Sequence, residues 1–234
     1  MVDDNGAGHY RSGIMHGLYA IVDTGSLAAL GIDPLAHARD VLRARPTALQ
    51  LRAKDMPARE ILSLLRRLHP MCRAAGCPLV VNDRPELAVL GGCNLVHVGQ
   101  EDMPIDRVRS IAPTLGVGVS THDLDQLARA LETRPRYVAF GPVFETRSKL
   151  RPEPVVGIAG LRTAWAMATA AAIPLVAIGG ITLERAYEVA PFCSAAAVIS
   201  DLYAGSSEAV TARARAFHAV FGGQPPVVAA GAQA

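Results

Sequence analysis

The sequence predicts one α/β domain, a single (β/α)8 barrel, on three observations. Short apolar runs, most of them rich in β-branched residues, recur eight times along 234 residues. A helix-like segment separates each run from the next, which calls for parallel pairing through right-handed crossovers. Polar residues gather just after the runs, at the strand ends where such a barrel builds its site. An open doubly wound sheet is the alternative, but no GxGxxG follows the first run.

The elements read in order as follows. Leu18-Tyr19-Ala20-Ile21-Val22 is the first strand, followed by a helix over 34–44. Ala48-Leu49-Gln50-Leu51 is the second. The helix after it, 57–73, opens with Pro57, a favoured first helical residue, and places Ile61, Leu64, Leu65 and Leu68 on one stripe. Leu79-Val80-Val81 is the third strand, introduced by Pro78, and Leu95-Val96-His97-Val98 the fourth, with helices over 84–90 and 104–111. Gly116-Val117-Gly118-Val119 and Tyr137-Val138-Ala139-Phe140 are the fifth and sixth, around a helix over 123–133. Leu175-Val176-Ala177-Ile178 follows a helix over 160–172 and Pro174, and Ala195-Ala196-Ala197-Val198-Ile199 is the eighth, with helices over 183–190 and 207–221. Asp106, Asp123 and Thr182 stand where helix starts are expected, Asp106 either at the start or inside the first turn.

The barrel is expected over 17–222, with a flexible N-terminal segment (1–16) and a flexible Gly/Pro/Ala/Gln tail (223–234). Hydrophobic residues make up 50% of the chain and aromatic ones only 5%, so the core is built from Ala, Val, Leu and Ile. A formal net charge of +2 gives no argument for a nucleic-acid or membrane partner. A homo-oligomer is left open. Residues 1–16 carry Asp3, Asp4 and Arg11 without a long apolar run, unlike a secretory signal. Cys72, Cys77, Cys93 and Cys193 match no zinc spacing, so free thiols in a reducing cytoplasm are expected.

The strand ends carry the chemistry. Gln50, Arg52 and Lys54 alternate, so an extended backbone aims all three the same way, as an anion-binding wall. Asn82-Asp83 ends the third strand and Gly99-Gln100-Glu101-Asp102 follows the fourth. Two carboxylates facing Arg and Lys suggest a shared Mg2+, which takes one or two protein carboxylates with phosphates and waters. Alternatively, Asp83 caps a helix and Asp102 forms an ion pair. The long stretch from Gly141 to Gly157 carries Thr146, Ser148 and Lys149 and suits a closing clamp. Ile178-Gly179-Gly180 and Ile199-Ser200 end the last two strands, the usual phosphate site of this fold, where glycines and a helix start offer bare N–H groups. Two anion sites fit a reaction that joins a diphosphate ester to a monophosphate, or one that acts on a single bisphosphate.

At these residues the sequence resembles the thiamine-phosphate synthase family of TIM barrels. The motifs LYAIVD, QLRAK, VND, VHVGQED, GVSTH, AFGPVFETRSK, AIGGI and VIS carry the resemblance from about Gly17 to Phe221. It implies a transferase that condenses 4-amino-2-methyl-5-hydroxymethylpyrimidine diphosphate with 4-methyl-5-(2-phosphooxyethyl)thiazole, or its carboxylated form, to give thiamine monophosphate and diphosphate. By the same resemblance, Gln50, Arg52, Lys54 and Asn82 bind the pyrimidine diphosphate, Asp83 and Asp102 hold Mg2+, and Ser120 lies near the pyrimidine. Thr146 and Ser148 contact the thiazole, Lys149 the diphosphate, and Gly180, Ile199 and Ser200 the thiazole phosphate. Arg52, Lys54, Ser120 and Lys149 are the catalytic set. The chain departs from the family at Ala53, where Glu is usual, and at Glu145-Thr146-Arg147-Ser148-Lys149, where PTxTK is usual. The FET spelling is closer to a sister family, the thiazole tautomerase, an isomerase without a metal. A non-catalytic barrel binding thiamine-type phosphates is a further alternative. Both enzyme families carry a His at the position of His122, which otherwise helps begin a helix.

Overall fold

Eight parallel strands close on themselves, β1 pairing with both β2 and β8. The structure is a computed structural model that describes residues 15–146 and 153–222. The strands are β1 (Gly17–Asp23), β2 (Ala48–Arg52), β3 (Leu79–Asn82), β4 (Leu95–Val98), β5 (Gly116–Thr121), β6 (Tyr137–Phe140), β7 (Leu175–Ile178) and β8 (Ala195–Val198). Seven begin at the expected residue, and β1 begins one residue earlier.

Helices separate the strands: α1 (Thr24–Ala29), α2 (Pro34–Leu42), α3 (Ala58–Ala75), α4 (Pro85–Leu90), α5 (Ile105–Ile111), α6 (Leu124–Glu132), α7 (Gly157–Ala170), α8 (Leu183–Val189) and α9 (Ser207–Val220). Asp123 and Thr182 cap α6 and α8 by accepting backbone N–H groups, whereas Asp106 lies inside the first turn of α5. Helix α1 is absent from the sequence reading, because TGSLAA carries a single large apolar residue, Leu27, and so no apolar stripe. The Asp23 side chain starts it by accepting from Ser26 N at 2.8 Å.

Strand alternation sorts the side chains into two cores. Leu18, Leu49, Leu51, Val81, Val96, Val138 and Phe140 face outward and pack under the helices. Tyr19, Ile21, Ala48, Val80, Leu95, Tyr137, Val176 and Ala195 fill the barrel interior. The next inward positions toward the strand C-termini are polar on β2, β3, β4 and β5, namely Gln50, Asn82, His97 and Ser120, so the interior is closed below and polar above.

Met15 and His16 belong to this packing rather than to a loose N-terminal segment. Met15 is buried in the interior cluster, His16 N donates to Thr47 Oγ1 at 3.0 Å, and the His16 ring meets Phe221 O at 2.8 Å. The remainder of the two expected terminal segments, 1–14 and 223–234, lies outside the described residues. Among the described residues no helix is long and apolar enough to cross a membrane.

Candidate active site at the strand C-termini

The mouth is built from side chains that share the inward register. Gln50 Nε2 donates to Asn82 Oδ1 at 2.6 Å, and Gln50 Oε1 accepts from the Tyr19 hydroxyl at 2.7 Å. Tyr19 meets the Tyr137 hydroxyl at 2.7 Å, Tyr137 meets His97 Nδ1 at 2.9 Å, and His97 Nε2 meets Ser120 Oγ at 2.7 Å. Six residues from six strands thus form one hydrogen-bonded chain across the barrel. Gly118 makes room for it: it pairs in register with Tyr137, and a Cβ there would fall inside the Tyr137 ring.

The cationic wall differs from its expected form. Gln50 and Arg52 share a face of β2, but the strand stops at Arg52 and Lys54 lies in the turn beyond it. Lys54 still reaches the site, with Nζ 3.5 Å from Asp83 Oδ2. The Arg52 guanidinium is bonded to Asp23 at the end of β1. Burial works against ionising Asp23, yet hydrogen bonds from Ser26 and Arg52 outweigh it and hold the carboxyl below its usual value.

Asp83 and Asp102 stand together, as the sequence suggested. Asp83 does not cap the following helix, since the N-cap of α4 is Arg84. Its backbone is left-handed at φ +62°, a conformation Asp tolerates, and its N–H donates to His97 O at 2.8 Å. Asp102 is fixed by Gly99 N at 2.7 Å. Burial, followed by the hydrogen bond and repulsion of Asp102, raises Asp83 to about 6 against the opposing pull of Lys54. Among the described residues no three His, Cys, Asp or Glu side chains form a complete protein metal cage. An under-neutralised carboxylate pair is nevertheless the donor set that suits Mg2+ completed by phosphate oxygens.

The opposite side of the mouth is backbone. Gly179 and Gly180 both have positive φ, at +99° and +62°. A Cβ on Gly180 would collide with the Glu145 carbonyl and the Phe144 side chain, so glycine is needed there for loop packing, quite apart from any anion. Val143 N and Phe144 N donate to Ile178 O and Gly179 O, and Arg185 clamps the same junction by bonding Gly180 O at 2.8 Å and covering the Phe144 ring at 4.7 Å. The eighth strand ends at Val198, one residue short of the expected end, and Ile199 leads into a short 3-10 turn, Ser200–Leu202. The first-turn amides of α8 are not all bare: Leu183 N is taken by Asp201 and Arg185 N by Thr182.

Thr146 is partly buried at the near end of the β6–α7 loop, while Ser148 and Lys149 lie outside the described residues. The His122 ring contacts Gly141 O through Nδ1 at 2.7 Å and its backbone N–H donates to Gln126 Oε1, so this residue braces the base of that loop. Sequence reasoning missed Asp23, Tyr19, His97, Tyr137 and Arg185. The signal for three of them was present, because Tyr19, His97 and Tyr137 share the inward register with the chosen residues.

The thiamine monophosphate synthase family matches residues 18–202. The thiamine-phosphate synthase of Anaeromyxobacter dehalogenans is 38% identical over 207 residues, covering 88% of each chain. That of Methanocella arvoryzae is 35% identical over 209 residues, covering 88% of this chain and 95% of its own. Among solved structures, a thiamine phosphate pyrophosphorylase from Pyrococcus furiosus superposes with a TM-score of 0.78 at 30% identity, over 88% of this chain and 96% of that one.

Proposed function

The chain belongs to the thiamine monophosphate synthase family, and we propose that its mouth condenses a pyrimidine diphosphate with a thiazole monophosphate, releasing diphosphate. The enzyme is a transferase of this family. The relatives favour the synthase over the isomerase and regulatory alternatives. The observation that carries the reading is the meeting of Lys54, Asp83 and Asp102 at one edge of the mouth, opposite the Gly179–Gly180 backbone. A phosphate-binding isomerase has no need of that charged edge.

In this reading Gln50, Arg52, Lys54 and Asn82 hold the pyrimidine diphosphate, and Ser120 faces the pyrimidine. Asp83 and Asp102 would hold Mg2+, which would supply positive charge to the departing diphosphate. As the carbon–oxygen bond breaks, its electron pair goes to the diphosphate, where Arg52, Lys54 and Lys149 stabilise the charge. The thiazole nitrogen then forms the new carbon–nitrogen bond. Thr146 and Ser148 contact the thiazole, and its phosphate lies against the backbone of Gly180, Ile199 and Ser200. Four buried, unbridged cysteines fit a reducing compartment, the cytoplasm.

The test is release of diphosphate by purified protein. Release is expected only with both substrates and Mg2+, and EDTA is expected to abolish it. Turnover of a thiazole carboxylate phosphate in EDTA, with no diphosphate released from the pair, would overturn the reading.

Gly180→Ala separates the two anion sites. The added methyl pushes back Glu145 and Phe144 on the thiazole side, away from Asp83 and Asp102. The Michaelis constant for the thiazole phosphate is expected to rise roughly tenfold or more, the cost of a misplaced binding group. That for the pyrimidine diphosphate should change little. Equal rises measured in steady state would place the thiazole phosphate elsewhere.

A further inference from the structure

The hydrogen-bonded chain across the barrel has a direction, and that direction follows from counting protons. Gln50 Nε2 donates to Asn82 Oδ1, so Gln50 Oε1 is the acceptor for Tyr19. A phenol has one proton, and Tyr19 has spent its own on Gln50. Tyr137 must therefore donate to Tyr19, which leaves the Tyr137 oxygen to accept from His97 Nδ1–H. A neutral imidazole with its proton on Nδ1 accepts at Nε2, so Ser120 turns its hydroxyl proton toward His97. Every link then points from Ser120 toward Asn82.

We propose that Tyr19 and Tyr137 are positioning residues that hold the His97 proton on Nδ1 and thereby present Ser120 Oγ to the site as an acceptor only. Both phenols are shut away from water, at 1% and 0% exposure, so no solvent molecule offers either hydroxyl a different partner. Burial, reinforced for Tyr19 by its neighbour Tyr137, pushes both phenols above their usual range, so each keeps its proton. The His97 and Tyr137 rings are stacked with an interplanar angle of 15°, which limits rotation of the imidazole. Tyr19 and Tyr137 stand on β1 and β6, which are not neighbours in the sheet, so the two hydroxyls join opposite walls of the mouth.

The consequence for recognition deepens the synthase reading and rests on it. With its proton turned inward, Ser120 meets a ligand through lone pairs and selects an N–H donor, such as the exocyclic amino group of the pyrimidine, over an acceptor at the same place.

The decisive test uses Tyr19→Phe, three links away from Ser120. Without Tyr19 to receive its proton, Tyr137 donates to His97 Nδ1 instead, the ring proton moves to Nε2, and Ser120 becomes a donor. Nitrogen-15 NMR of the imidazoles, with His97 assigned by its loss in His97→Asn, should show Nδ1 protonated and Nε2 bare in the ligand-free parent at neutral pH. In Tyr19→Phe the pattern should invert. The Michaelis constant for the pyrimidine diphosphate should rise at least tenfold, and that for the thiazole phosphate should stay within twofold. A purely structural role for Tyr19 would not move the ring proton. A proton on Nε2 of the parent, or an unchanged pattern in the variant, overturns the proposal. The parent spectrum decides even if the variant fails to fold. Because it needs no substrate, its failure is distinct from failure of the synthase reading.

Discussion

Asp83→Asn and Asp102→Asn are each expected to slow thiamine monophosphate formation roughly a hundredfold or more, a loss of about 2–4 kcal/mol, as for removal of one oxyanion donor. The same changes should make the metal-free protein more stable, not less. Asp83 is raised from 3.8 to about 6, mainly by burial and by Asp102. A carboxyl raised on folding contributes stability that is fully present below about 3.9, its unfolded value, and is lost as pH rises through the folded value. At pH 7 in EDTA the parent therefore carries an unrelieved penalty of burial and repulsion, on the order of 1–3 kcal/mol when the shift is converted at about 1.4 kcal/mol per unit. Asparagine keeps the side-chain shape, tolerates the left-handed backbone at φ +62° and removes the charge. Thermal unfolding in EDTA and in Mg2+ checks both halves: Mg2+ should stabilise the parent strongly and the variants weakly. Variants that keep full activity, or a parent indifferent to Mg2+, would remove these carboxylates from the metal site.

Arg52→Met is expected to lower stability and activity together, and a second change should separate them. Removing the guanidinium strands the buried Asp23 carboxylate; breaking such a pair costs about 2–4 kcal/mol where one partner keeps some contact with solvent. Because Asp23 is held below its usual value, its stabilisation is present at neutral pH and is lost as pH falls through the folded value. The gap between parent and Arg52→Met should therefore narrow in acid. Adding Asp23→Asn removes the stranded charge and should recover most of the stability. Activity should stay low, roughly tenfold to a hundredfold down, because the diphosphate has still lost a cation. Urea unfolding and the diphosphate assay on the two single variants and the double variant measure this. Recovery of activity in the double variant would show that Arg52 serves only Asp23.

The barrel and most of its site are legible along the chain because both depend on local order. Apolar runs separated by amphipathic stretches set eight strands and the helices between them, and the period of two says which residues face the interior. Gln50 was read this way, Asn82 from its place at the end of the third strand, and Ser120 only through the family resemblance. Asp83 and Asp102 were found because they follow strand ends that any closed parallel barrel brings to one face. Lys54 was expected on the strand's inward face, but a turn rather than the strand carries it to Asp83.

What only the tertiary structure decided is which inward residues meet. Tyr19 and Tyr137 are 118 positions apart, on strands that are not neighbours, and join because Gly118 leaves space for the Tyr137 ring. Arg52 and Asp23 meet because β1 and β2 pair in the register that sets these two residues side by side. The Gly180 requirement lies in the Glu145 carbonyl of another loop. Periodicity specifies a face, but a contact across the barrel depends on closure, register and side-chain length together, and these exist only once the sheet has closed.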